Sequence, residues 1–157
     1  MTNAVAVDFD AVLGDTAPLW HAWVEDARRR YRVQLEDDPD EAALDAAIGN
    51  WRPLLERFAE DHARVYLRPN PAANAELRRL AASGARVGAF TAAPEPLARV
   101  AGSHLGVVRS LETLEAGPGA LERLLGRLGG DANVIRTLAE LSSVDMSRGQ
   151  TPGHIPI

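Results

Sequence analysis

Val5-Ala6-Val7-Asp8-Phe9-Asp10 is the stretch on which the fold turns. An apolar run ending in acids, Asn3 to Asp8, predicts a buried parallel strand, because a strand covered on both faces reads as a continuous apolar string. In an open parallel sheet, ligands gather beyond the carboxyl ends of the strands. The residues that close this run are therefore candidates for a site. At spacing i, i+2, Asp8 and Asp10 leave a strand on the same side, so their carboxylates can converge. Paired carboxylates repel and are tolerated best where a cation relieves them. Taken alone, the same pattern also fits an acidic turn after a strand.

Outward from this run, Asp15-Thr16 supplies N-cap chemistry and Pro18 a first helical turn. Trp20, Trp23, Val24, Ala27 and Tyr31 follow at helical spacing. Glu36 to Asp40 reads as an acidic loop. A second helical stripe runs through Leu44, Ala47, Ile48, Trp51, Leu55 and Phe58, with Pro53 breaking or restarting it. Together the stripes predict a helical hairpin that buries its tryptophans. Tyr66 to Pro71 reads as extended, Glu76 to Ala81 as helix, and Ser83-Gly84 as its stop. Arg86 to Phe90 predicts a second strand ended by Thr91, and Pro94 to Leu105 a helix. Val107-Val108 is read as the start of a short strand. Leu121, Leu124, Leu125 and Leu128 give the clearest amphipathic helix, closed by Gly129-Gly130. Asn133 to Arg136 predicts a last strand, and Leu138 to Leu141 a last helical turn.

Strands alternating with helices imply an α/β fold, a three-layer Rossmann-like parallel sheet with a small α-helical cap insertion. The expected division is a core of residues 1–16 and 64–145, a helical insertion of 17–63, and a flexible tail of 146–157 rich in Gly, Pro and polar residues.

Composition excludes several chemistries. There is no cysteine, so disulfides, thiolate metal sites and a cysteine nucleophile are out. Net charge is −5, and the sole basic run is Arg28-Arg29-Arg30-Tyr31-Arg32. That run suits a helix C-terminus better than a phosphate backbone, so no nucleic-acid partner is expected. No apolar run reaches membrane-spanning length and no secretory layout opens the chain, which leads to an expected cytoplasmic location. All 17 basic residues are arginine, so lysine chemistry is unavailable. His21, His62, His104 and His154 show no metal-ligand spacing. Gly117-Pro118-Gly119 and Gly129-Gly130 match no phosphate-loop pattern and read as helix punctuation.

Val7-Asp8-Phe9-Asp10-Ala11-Val12-Leu13-Gly14-Asp15-Thr16 resembles the first motif of the haloacid dehalogenase superfamily, D-x-D-G-[TV]-[LV]-x-D-[ST], with Ala11 in place of the usual Gly. Arg86 to Ala93 resembles its second motif, an apolar strand ending in Thr or Ser. Tyr66-Leu67-Arg68-Pro69 and the helix after it look like the return from cap to core. The resemblance runs over residues 4 to 128, and the inserted helices resemble a shortened cap of the phosphoglycolate phosphatase-like branch. It implies Asp8 as nucleophile through an aspartyl-phosphate and Asp10 as general acid and base. It further implies that Thr91 and the backbone of Ala92 hold phosphoryl oxygens, and that Asp8 and the Asp10 carbonyl carry Mg²⁺. The implied partner is a small phosphorylated metabolite; oligomeric state is not legible.

Departures from the family pattern carry equal weight. The third motif's Lys or Arg is missing: Leu114-Glu115-Ala116-Gly117-Pro118-Gly119 puts Gly117 at its place. The fourth motif's acids are missing too. Val134-Ile135-Arg136-Thr137 carries an arginine where they belong, unless it is the family's fifth strand and the fourth is deleted. Loss of one electrostatic group costs catalysis on the order of a hundredfold. Two readings follow: a Mg²⁺-dependent phosphatase of small esters with a degenerate active site, or a non-catalytic binding or regulatory relative. Arg136 or Arg109 could replace the missing cation by swinging over Asp8.

Overall fold

A computed structural model describes residues 3–144. The expected tail of 146–157, with His154, lies outside the described residues, as does residue 145. The element order is β1 (Ala4–Asp8), a π-helical turn (Phe9–Leu13), α1 (Ala17–Tyr31), α2 (Glu41–Ala47), α3 (Arg52–Tyr66), α4 (Pro71–Ala82) and β2 (Arg86–Thr91). Then follow α5 (Glu95–Leu105), a 3₁₀ turn (Val108–Ser110), β3 (Thr113–Ala116), α6 (Ala120–Leu128), β4 (Asn133–Ile135) and α7 (Leu138–Ser142).

The strands form one parallel sheet in the order β3-β2-β1-β4. Val7 lies opposite Ala89 of β2 and Ile135 of β4, so the ends of all three strands meet at Asp8. The sheet is covered on both faces, unequally. Val5, Val7, Val87 and Ala89 face a large apolar cluster that takes in α1, α3, α4 and α5. Ala6 and Phe90 face a smaller one closed by Ala120, Leu124 and Leu128 of α6. Gly88 permits that closeness, since a Cβ there would sit 2.4 Å from Leu124 Cδ1.

The inserted helices do not stand apart. Trp23 and Trp51 are fully buried in the same cluster as the sheet residues, with ring centroids 6.3 Å apart and Trp20 at 5.5 Å from Trp23. Two indole N–H groups keep polar partners, Trp20 donating to Asp38 at 2.9 Å and Trp51 to Asp45 at 2.8 Å. Pro53 stands in the first turn of α3, where a missing N–H costs nothing, and so restarts the helix as expected.

One expected strand is not formed. Val107-Val108 opens no strand. Gly106 ends α5 at φ 73°, Val107 is buried, and Val108 begins the 3₁₀ turn. The edge strand lies further on, at Thr113–Ala116, paired to β2 from Gly88↔Thr113 to Thr91↔Ala116. Its glutamate hid it, as charges on edge strands often do.

Glu115 of that strand ties the sheet to α6. Its carboxylate accepts from Thr113 Oγ1 at 2.8 Å and pairs with Arg123 Nε at 3.3 Å and Arg127 Nε at 2.8 Å. Burial alone would push this carboxyl up, but the Thr113 and Arg123 bonds and the two arginine charges outweigh it and hold it below the ordinary value of 4.5. A carboxyl depressed in the folded state stabilises the fold above its unfolded value, and that stability disappears as pH falls through the depressed one. Glu115→Gln should therefore flatten the acid limb of the stability curve, read by chemical denaturation between neutral pH and about pH 3.

Candidate functional site

β1 ends at Asp8, and the chain turns at once into a single π-helical turn closed by Gly14 N–H donating to Phe9 O at 3.0 Å. Such turns are rare and recur at functional sites. The turn alters the geometry expected of Asp8 and Asp10. Strand alternation stops at Phe9, so Asp10 stands on the turn and not on the strand, and the two carboxylates share no hydrogen-bond partner.

Asp8 caps the turn. One carboxylate oxygen accepts from Ala11 N–H at 3.3 Å and the other faces Arg136 Nη1 at 3.1 Å. Asp10 is held more tightly. Oδ1 accepts from Thr16 N–H at 2.8 Å and Thr16 Oγ1 at 2.5 Å, and Oδ2 from Thr91 Oγ1 at 2.5 Å. Thr16 and Thr91 are buried. Thr91 Oγ1 in turn accepts from Ala93 N–H at 3.2 Å. The hydroxyl assigned to a phosphoryl oxygen is thus engaged with Asp10. The Thr16 hydroxyl, which the sequence marks as a helix cap, makes no cap bond, and Asp15 instead accepts from Ala17 N–H at 3.0 Å.

A cleft of about 550 Å³ opens between these residues and the inserted helices. Asp10, Ala92 and Gly117 lie on its sheet side, with Trp20, Pro39 and Leu44 opposite. Asp8 is not among its lining residues. The cleft also carries Asp15, Asp38, Asp40 and Glu41 and no arginine. Several of these acids have structural partners: Asp40 caps α2 through Ala43 N–H at 2.8 Å, and Glu41 pairs with Arg52. The sequence reading missed this wall. Its signal was the acidic loop Asp37 to Asp40 beside a tryptophan helix.

The cations fall as follows. Gly117, at the third motif's place, is buried and donates from its N–H to Thr91 O at 3.0 Å. Arg123 folds over the same loop onto Pro118 O and Ala116 O, away from Asp8. Arg109 sits in the 3₁₀ turn ahead of β3, at the opposite end of a parallel sheet from Asp8, and is no substitute cation. Arg136 is the residue after β4, the strand paired directly to β1, and it reaches Asp8. β4 therefore occupies the place beside β1 from which fourth-motif acids were expected.

Mg²⁺ prefers near-octahedral oxygen ligands. Among the described residues no group of three His, Cys, Asp or Glu side chains is placed to hold a metal. A guanidinium lies against Asp8 where further carboxylates would be needed. The Mg²⁺ site implied at Asp8 and Asp10 does not fit the residues present.

No family model matches this chain, and no curated protein matches it. Solved structures do. One of 10 matching chains, from Thermotoga maritima and described as a "putative beta-phosphoglucomutase", is 18% identical with a TM-score of 0.55, over 85% of this chain and 75% of that one. At that identity the likeness is one of fold. With the four-stranded parallel sheet flanked by helices, it establishes a Rossmann-like α/β fold shared with that structure. No helix among the described residues is long and apolar enough to cross a membrane.

Proposed function

We propose that this chain is a haloacid dehalogenase-type phosphohydrolase acting on small phosphate esters through an aspartyl-phosphate on Asp8. The observation that carries the reading is the position of Asp10, lining the cleft two residues beyond Asp8 and fixed by Thr16 and Thr91. An acid/base group needs that fixity, because its proton must be delivered to one atom. In the first step an Asp8 oxygen bonds to phosphorus as the bond to the ester oxygen breaks, and Asp10 gives its proton to the departing alcohol. In the second, Asp10 takes a proton from water as the water oxygen bonds to phosphorus and the bond from phosphorus to the Asp8 oxygen breaks, which releases inorganic phosphate and restores Asp8. The cap's likeness to the phosphoglycolate phosphatase-like branch, a cytoplasmic setting and a small phosphorylated metabolite as substrate belong to this reading.

A second reading, a non-catalytic binding or regulatory protein, has one observation in its favour: Asp8 is already engaged by Arg136. The two separate by experiment. Incubation with a panel of phosphate esters, acid quenching and mass spectrometry of the digest should trap a phosphoryl group on the peptide carrying Asp8. Asp8→Asn should abolish both the adduct and release of inorganic phosphate. A phosphoenzyme absent across the panel would leave the binding reading.

A further inference from the structure

We propose that the Arg136 guanidinium does in this site the charge work of a divalent cation, so that the site takes up a phosphoryl group without metal. The inference rests on the phosphohydrolase reading only for the identity of the anion. The sheet register fixes the geometry: with Val7 opposite Ile135, the next residues of β1 and β4 are Asp8 and Arg136. Strand pairing therefore brings the two residues side by side, within reach of an ion pair.

Three contacts hold the arginine. Its Nη1 lies 3.1 Å from Asp8 Oδ2, and its guanidinium carbon stands 5.4 Å from the centroid of the Phe90 ring. Its backbone N–H donates to Glu140 Oε1 at 2.9 Å, and the same carboxylate oxygen accepts from Thr137 Oγ1 at 3.3 Å. A guanidinium has five N–H donors in a planar fork that matches phosphate oxygens. Among the described residues one side-chain partner, Asp8, is recorded for it. The side chain is 55% exposed, so the remaining donors are open to an incoming anion.

The charges on either side agree. Two carboxyl groups, Asp8 and Asp10, stand at this strand end, and the cleft beyond Asp10 adds Asp15, Asp38, Asp40 and Glu41 and no arginine. An anion can settle only where a cation offsets this, and Arg136 is the arginine paired to Asp8. A divalent cation at the same oxygen would lie against a fixed positive charge.

The test measures binding of inorganic phosphate by calorimetry in excess EDTA and again with Mg²⁺. The wild-type chain should bind phosphate in EDTA, with affinity unchanged by Mg²⁺. Arg136→Ala should weaken it about tenfold or more, and Arg136→Lys, which keeps the charge but not the fork, should fall between. Arg136→Asp should lose phosphate and gain heat on Mg²⁺ addition, because it puts a third carboxylate beside Asp8. Thermal melting of each variant separates lost binding from lost fold. Phosphate binding that appears only with Mg²⁺, no binding in either condition, or an Arg136→Ala variant that melts normally and binds as tightly as wild type would each overturn the inference. Phosphoenzyme formation is a separate readout. A missing adduct with Arg136-dependent binding in EDTA removes the hydrolase reading alone, whereas an adduct formed strictly with Mg²⁺ removes this inference alone.

Discussion

Asp10→Asn is expected to cut phosphate-ester turnover by about 10²–10⁴-fold while leaving the fold intact, since acid/base groups contribute on that order. The structure shows why the damage stays chemical. Thr16 N–H is a fixed donor, so the asparagine must place its oxygen there and its amide toward Thr91. The Thr91 hydroxyl, which already accepts from Ala93 N–H, can accept from the new amide as well but gives up the Asp10 oxygen to which it donated. The cost in stability is one charge-assisted bond exchanged for a neutral one, about 1–2 kcal/mol. Steady-state rates against a panel of esters, together with a urea melt, check both halves. A large fall in rate with a small fall in midpoint is the expected pattern, and a collapse of both would mean that Asp10 is structural.

Trp23→Ala should be the most destabilising single change in the inserted helices. The side chain is 1% exposed and stands between Trp20 and Trp51. Emptying a fully buried tryptophan site costs about 3–5 kcal/mol through lost transfer energy and the cavity left behind. Against a whole-domain stability of roughly 5–15 kcal/mol, that is a large share. The melting temperature should fall by about 10 °C or more. Trp20→Ala, at a buried position that lines the cleft, should cost less, because the space it leaves adjoins the cleft, and should change ligand binding more. Calorimetric melting of the two variants side by side reads the difference.

Much of this was legible along the chain because the signals are local. Val5 to Asp8 and Arg86 to Thr91 are apolar runs that only a covered strand explains, and the leucines of α6 repeat at helical spacing. Arg136 could be placed at a strand end, and a strand end beside β1 is where it stands. Other features were hidden because their causes lie far apart in sequence. β3 is an edge strand whose Glu115 answers to arginines on α6, so its composition reads as loop. The π-helical turn is set by a backbone bond from Gly14 to Phe9, which no side-chain pattern announces. The different partners of Asp8 and Asp10 follow from that turn. The cleft required knowing that the acidic loop folds back over Ala92 and Pro118, a matter of tertiary packing alone.

The apolar cluster that runs unbroken from the sheet into the inserted helices has an energetic consequence. A flap that rocks open must peel one surface from another, and here that would tear apart a single close-packed interior. Moving the inserted helices off the sheet as a unit would expose that interior to water, at about 25 cal/mol for each Å² of apolar surface uncovered. The wall formed by Trp20, Pro39 and Leu44 is thus anchored by the same packing that holds the sheet together.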